Sequence, residues 1–208
     1  NIKTVRSIPL LLPRPVSIIV IGEARITKKD LEKINKVRMQ DGLPLYANTR
    51  NLAAGTLRQL DPRIVARRNI QIFAYDIEGG AYTSQEEELA TLSTFGFLVN
   101  KDRRVCRSLK EVQSFYNAWQ EKRNNQEYGI DGVVVKVNER KLWDKLGYTA
   151  NFPRGGIAYK FPAVEVATKL LSITCQVGRT GAVTPVAELE PILLAGSVVK
   201  RATLHNEE

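Results

Sequence analysis

One histidine, one methionine and two cysteines are all that this 208-residue sequence has of the side chains that most often bind soft metals. His205 has no second histidine to pair with. Cys106 and Cys175 lie far apart and lack the short spacing of a metal knuckle, so the expectation for each is a buried free thiol. Long apolar runs are missing too. None approaches the roughly eighteen residues a membrane helix needs, so no membrane span is expected. The start, NIKTVRSIPLLLPRP, interrupts its apolar run with prolines and does not read as a signal peptide. No internal repeat and no low-complexity linker is present.

Acidic residues are scarce in one place. Residues 1–75 hold 14 Lys+Arg against 5 Asp+Glu, residues 76–150 hold 11 against 12, and residues 151–208 hold 6 against 5. The net charge of +9 therefore comes from the first third. Such one-sided charge suits a polyanion such as nucleic acid or a nucleotide, and it equally suits a plain solvated surface. The remaining composition, 43% hydrophobic and 25% charged, is that of a globular chain of one or two domains.

Periodicity predicts mixed helices and strands through Pro162. VSIIVIGEARI (16–26) reads as a β-branched strand. Thr27 opens a helix with Leu31, Ile34 and Val37 as its stripe. TRNLAAGTLRQL (49–60) reads as a second helix, stopped by Asp61-Pro62. IQIFAYDI is a strand. Ser84 with Glu87 and Ser108 with Glu111 have capping-box spacing. The second of these opens a stripe of Val112, Phe115, Tyr116 and Trp119, read as core. IDGVVVKV and IAYKFP are strands, with a short helix from Asn138 to Leu146 stopped by Gly147 between them. After Pro162 helical stripes vanish, and 164–208 reads as the start of a small all-β unit, too short to close a barrel.

Two lysines sit inside apolar strands. Alternation along IDGVVVKV puts Val134 and Lys136 on one face and Val133, Val135 and Val137 on the other. Lys160 lies between Tyr159 and Phe161. A buried ammonium is costly unless an anion meets it. Either both lysines reach solvent, or both aim at one pocket where phosphate is the natural partner. Glu23, after Gly22 at a strand end, either accepts hydrogen bonds from ribose hydroxyls or begins a loop. Arg50 and Arg58 are two helical turns apart and share a helix face, with Arg63, Arg67 and Arg68 extending the basic surface.

In order, IGEA around Glu23, ANTRNLAAGTLRQLDPRI (47–64), EYGIDGVVVKVN (127–138), AYKFPA (158–163) and VGRTGAVTPVAELEPILLAGSVVKRATLHN (177–206) resemble the bacterial NAD-dependent DNA ligases. The resemblance covers essentially the whole chain. It implies an α+β nucleotidyltransferase, or adenylation, domain of antiparallel sheets with helices over 1–163, then the beginning of an all-β OB-fold over 164–208. It implies sealing of 5′-phosphate/3′-hydroxyl nicks in double-stranded DNA through an adenylated lysine, with NAD as AMP donor and Mg2+ offsetting phosphate charge. The family's Zn2+ belongs to a four-cysteine module that this sequence does not contain. By the same resemblance Glu23 holds the ribose and Tyr75 stacks on adenine. Lys136 and Lys160 hold and polarise the phosphate, and Asp131 helps place the metal or the reacting groups. Arg50, Arg58 and Arg123 contact phosphates of AMP or DNA, and Arg179 lies in a hairpin that approaches DNA. No protein residues are assigned as metal ligands. The implied setting is the bacterial cytoplasm, nucleoid-associated, as a monomer with no membrane partner.

The sequence departs from the family at its first motif. Neither Asp41-Gly42 nor Asp131-Gly132 has lysine two residues before the aspartate, so no Lys-x-Asp-Gly is present. These 208 residues are therefore expected not to adenylate themselves, and a nicked-DNA-binding protein without catalysis is the alternative. Ile21 stands in place of an arginine and Thr49 in place of a proline. Gly155-Gly156 replaces an aromatic-small pair, with a looser entry to the last lysine strand expected.

Overall fold

A computed structural model describes residues 1–150, 152–194 and 197–205. It divides the chain into two units, Asn1–Phe161 and Pro162–Glu208. Ala195, Gly196 and Asn206, part of the last stretch of resemblance, lie outside the described residues.

The first unit is organised by two antiparallel ladders. Strand β1 (Ile19–Arg25) pairs with β2 (Gln71–Glu78), and β3 (Gly132–Lys136) pairs with β4 (Gly156–Lys160). The first ladder slips by one residue. Ile21 faces Asp76 but Gly22 faces Ala74, so Tyr75 is the extra residue of a β-bulge. Gly22 suits this step because a Cβ there would lie 2.7 Å from both Ile72 Cγ2 and the Phe73 carbonyl oxygen.

Helices follow their caps. In α1 (Lys28–Gln40) the Thr27 side chain accepts from the Asp30 N–H, and in α2 (Thr49–Leu57) the Asn48 side chain accepts from the Asn51 N–H. The sequence predicts a second helix running to Leu60. It ends instead at Leu57, and Asp61-Pro62 starts α3 (Pro62–Arg67), with Asp61 accepting from the Arg63 N–H. Proline has no N–H to satisfy in a first turn, so it opens this helix rather than merely ending the one before. Helices α4 (Gln85–Thr94) and α5 (Leu109–Lys122) carry the expected Ser84 and Ser108 caps. Their Glu87 and Glu111 carboxylates reach one residue past the cap, to the N–H groups of Thr83 at 2.8 Å and Arg107 at 3.0 Å. Helix α6 (Arg140–Leu146) stops at Gly147, whose φ of 69° is the left-handed conformation glycine allows.

The core lies on one side of the β1–β2 ladder. Val5, Ile26, Leu52, Ala53, Val65 and Ile70 fill one end under α2 and α3; Ala74, Ile77, Leu92 and Val99 fill the other under α4. Val37, expected in the α1 stripe, is exposed, because only the first turns of α1 meet this core through Leu31 and Ile34. The thiol expectation is also corrected. Cys106 is half-buried, and Cys175 is exposed on a strand with no buried residue. No described helix is long and apolar enough to cross a membrane.

The second unit is a three-stranded meander, β5 (Leu170–Val177), β6 (Val183–Leu194) and β7 (Ser197–Thr203), in the order β5-β6-β7. Val186 and Ala187 are its buried residues among those described. Gly181, at φ 85°, closes the turn after β5 by donating to the Gly178 carbonyl at 2.9 Å. Mixed helices and antiparallel sheets followed by an all-β unit is the fold class expected from the sequence.

Candidate active site

The face of β3–β4 that carries both lysines is nearly bare of other large side chains. Gly132 pairs with Lys160, Val134 with Ala158, and Lys136 with Gly156, so these six share one side of the ladder. The opposite side is covered by α5, where Tyr116 stacks on Tyr159 at 3.9 Å between centroids. Gly132 lets the strands approach closely: a Cβ there would lie 2.5 Å from the Tyr159 carbonyl oxygen. Lys136 and Lys160 thus point the same way but from opposite ends, four residues or roughly 13 Å of strand apart. They are not enclosed in one pocket. Grooves of about 370 and 390 Å³ exist in this unit, but one runs along α5 beside Lys101–Arg104 and the other beside Asn69–Gln71.

Each lysine meets an aspartate that it shares with an arginine. At one end Asp131 Oδ2 lies 3.5 Å from Lys160 Nζ and 3.5 Å from Arg50 Nη1. All three side chains are open to solvent, at 64%, 68% and 78% exposure. At the other end Asp76 Oδ2 lies 3.5 Å from Lys136 Nζ, and Asp76 Oδ1 lies 3.0 Å from Arg140 Nη2. Here exposures are only 16%, 20% and 21%.

The bulge explains the second arrangement. It brings both Tyr75 and Asp76 within reach of Lys136, whose ammonium stands 5.1 Å from the Tyr75 ring centroid and donates to the Tyr75 carbonyl at 3.1 Å. Gln85 Oε1, at 3.4 Å, is a further acceptor. Behind Asp76 stands Glu88, fully buried on α4. One Glu88 oxygen accepts a short hydrogen bond from the Ile77 N–H, and the other lies 2.9 Å from Arg140 Nη2. Glu88 Oε2 and Arg140 Nη1 otherwise have no hydrogen-bond partner. Trp143 roofs the cluster. Its ring lies 4.3 Å from the Arg140 guanidinium and 5.7 Å from the Lys136 ammonium, and its N–H donates to the Val137 carbonyl at 2.7 Å.

Titration follows from this crowding. Burial, then the shared hydrogen bond and charge of Asp76, push the Glu88 carboxyl up to about 8. Burial works to raise Asp76 as well, but the Glu88 hydrogen bond, Lys136 and Arg140 outweigh it and hold Asp76 below its ordinary value. Burial lowers the Lys136 ammonium, against the opposing pull of Asp76 and Glu88. Burial raises the Tyr75 phenol, helped by the charges of Glu23 and Asp76.

The structure therefore gathers the expected residues into two groups. Glu23, exposed on β1, acts by its charge on Tyr75, which in turn meets Lys136; Arg50, Asp131 and Lys160 form the other. Arg58 caps α2 at its exposed C-terminus. Arg123 lies 6.0 Å over the Phe161 ring, next in the chain to Lys160. Arg179 is exposed in the β5–β6 turn of the second unit. Asp76, Gln85, Glu88, Arg140 and Trp143 were not singled out in the sequence. The looser strand entry expected at Gly155-Gly156 is overturned: Gly155 is buried, its carbonyl accepts from the Val137 N–H at 2.7 Å, and a Cβ on it would lie 2.7 Å from the Trp143 ring. The indole fills the space that a side chain at 155 would need. Among the described residues no group of three His, Cys, Asp or Glu is placed to hold a metal.

Comparison with known proteins gives the same answer over the whole chain. A family model described as NAD-dependent DNA ligase adenylation domain matches residues 1–164, and one described as NAD-dependent DNA ligase OB-fold domain matches residues 167–208. A DNA ligase of Bacillus cytotoxicus is 51% identical over 211 residues, covering 100% of this chain and 32% of the relative. DNA ligases of Bacillus thuringiensis and Bacillus cereus are each 47% identical over the same span. The chain spans about a third of the length of the curated relatives it matches.

Proposed function

Because this chain belongs to the NAD-dependent DNA ligase family, we propose that its first unit holds the adenylate of NAD and that it works on nicked double-stranded DNA. The colinear family match carries this reading. The geometry supports it by supplying a partner of suitable chemistry for each part of an adenylate. The exposed Tyr75 ring offers a stacking surface for adenine. The Glu23 carboxylate, on the next strand, accepts hydrogen bonds from ribose hydroxyls. Lys136 and Lys160 supply ammonium groups on one side of the β3–β4 ladder, Lys160 open to solvent and Lys136 largely enclosed, and phosphate neutralises them as point charges.

The reaction read onto this site starts from a nick whose 5′-phosphate already carries AMP: the 3′-hydroxyl attacks that phosphate, the phosphodiester forms, and the bond to AMP breaks as AMP leaves. Charge builds on the phosphate oxygens as the bond forms, and fixed cations stabilise it. Lys160 and Arg50 already flank Asp131, so a phosphate arriving there displaces a carboxylate from two solvent-exposed cations at little cost. Arg58, Arg123 and Arg179 add contacts to the DNA backbone. Mg2+ fits only in part: Asp131 offers one exposed carboxylate, and the other oxygens of such a site would come from phosphates and water.

Sealing of a nick that already carries 5′-AMP tests the proposal, because that step needs no Lys-x-Asp-Gly. With magnesium the chain should seal it, and Lys160→Met should lower the rate by more than about tenfold. A chain that binds neither nicked DNA nor AMP would sink the reading.

A further inference from the structure

We propose that Asp76 is the resting counter-ion of Lys136, fixed in place by Arg140 and Glu88, and that it yields the lysine to an adenylate phosphate. The inference rests on the reading of Lys136 as a phosphate ligand. Its own basis is the geometry around the ammonium. Lys136 has three donors, and its three oxygen acceptors stand at 3.1, 3.4 and 3.5 Å. Only the carbonyl of Tyr75 is at an ordinary hydrogen-bond distance. The ammonium is paired but loosely held, which suits a group that must change partners.

Asp76 is held differently. Its other oxygen meets Arg140 at 3.0 Å, and Arg140 also meets the buried Glu88 at 2.9 Å. When Lys136 leaves, Asp76 keeps a cation, so the exchange strands no buried charge. That is the step that makes a handover inexpensive, since an unpaired carboxylate in this setting would be strongly unfavourable. The charged groups around the ammonium are Asp76 on β2, Glu88 on α4 and Arg140 on α6, with the Tyr75 phenol beside them. With Glu88 protonated, the set carries two cations against one anion. One positive charge is left for a phosphate. Asp76, Arg140 and Glu88 are thus positioning residues acting through Lys136.

The geometry makes two substitutions act in opposite directions. Asp76→Asn removes a competitor for the ammonium, so adenosine monophosphate should bind the chain tighter by about three- to tenfold. Arg140→Lys weakens the anchor and leaves Asp76 leaning on Lys136, so the same ligand should bind weaker by about threefold. Damage to packing alone would weaken both. Calorimetry with adenosine monophosphate reads the two signs, and Lys136→Met is the control for the underlying reading. If Lys136→Met binds as well as the parent, the phosphate-ligand reading fails. If Lys136→Met weakens binding and Asp76→Asn does not tighten it, the counter-ion proposal fails. Nitrogen-detected NMR of the lysine ammonium groups gives a ligand-free check. Asp76→Asn should shift the Lys136 titration to lower pH, and an unmoved titration overturns the proposal even if no nucleotide binds.

Discussion

The molecule builds the same three-charge bridge twice, once in solvent and once in its interior. Asp131 joins Lys160 to Arg50; Asp76 joins Lys136 to Arg140. The lysines lie on one face of one ladder, and each ammonium is 3.5 Å from its carboxylate. The arginine contact differs, 3.5 Å to the same oxygen of Asp131 against 3.0 Å to the other oxygen of Asp76, and the surroundings differ more. Water screens the first bridge and fills any gap its charges leave. Around the second, burial raises Glu88 and lowers Lys136, the Glu88 hydrogen bond and two cations hold Asp76 down against burial, and among the described residues Glu88 Oε2 and Arg140 Nη1 are left without hydrogen-bond partners. Distance therefore says little about what an ion pair contributes. The exposed bridge is free to exchange its partners, whereas the buried one must be replaced group for group.

The largest way to break the comparison is Arg140→Met. It removes the guanidinium that meets both Asp76 and Glu88. Asp76 keeps Lys136, and Glu88 can stay protonated, so the loss should fall at the low end for a broken buried pair, about 2–3 kcal/mol. Urea unfolding measures it. A loss below about 0.5 kcal/mol would mean that the buried bridge behaves like the exposed one.

A smaller effect sharpens the contrast through pH. The Glu88 carboxyl rises from 4.5 to about 8 on folding. Between those values the folded chain holds a proton that the unfolded chain has released, so this group makes stability fall as pH rises across that window. Below it the contribution is fully present; above about 8 it is gone. Asp76 is depressed instead, and its contribution is lost only in acid, below its ordinary 3.8. Glu88→Gln should flatten the decline between about pH 5 and about pH 8 while changing little at the acid end. An unchanged slope in urea midpoints would show that Glu88 is ionised throughout.

Much of this was legible in the chain and some was not. Caps and strand alternation are local rules, so Thr27, Ser84, Ser108 and the shared face of Val134 and Lys136 could be read directly. The β-bulge at Tyr75 could not, because it arises from how β2 pairs with a strand some fifty residues away. Without the bulge, Asp76 has no visible reason to meet Lys136. Glu88 did leave a signal. It shares a helix face with Leu92 and Phe95, at i, i+4 and i+7, which puts a carboxylate inside an apolar stripe. Trp143 was hidden for the opposite reason: it looks like ordinary helix core, and only the empty space above Gly155 shows what it fills.

Asp131→Asn is the smallest effect and the most exacting test. It removes the carboxylate that Lys160 and Arg50 share, so simple pair counting would expect two ion pairs to be lost. Both cations are mostly in water, however, and water replaces the carboxylate. The change in unfolding free energy should stay within about 0.5 kcal/mol. Whatever remains should shrink further at about 1 M salt, where screening acts over roughly 3 Å. A loss as large as that of Arg140→Met, or one that salt leaves untouched, would mean that the Asp131 bridge is shielded from solvent. The two aspartates would then be equivalent in kind, and exchange of a partner at Lys160 would need an anchor such as Arg140 supplies for Asp76.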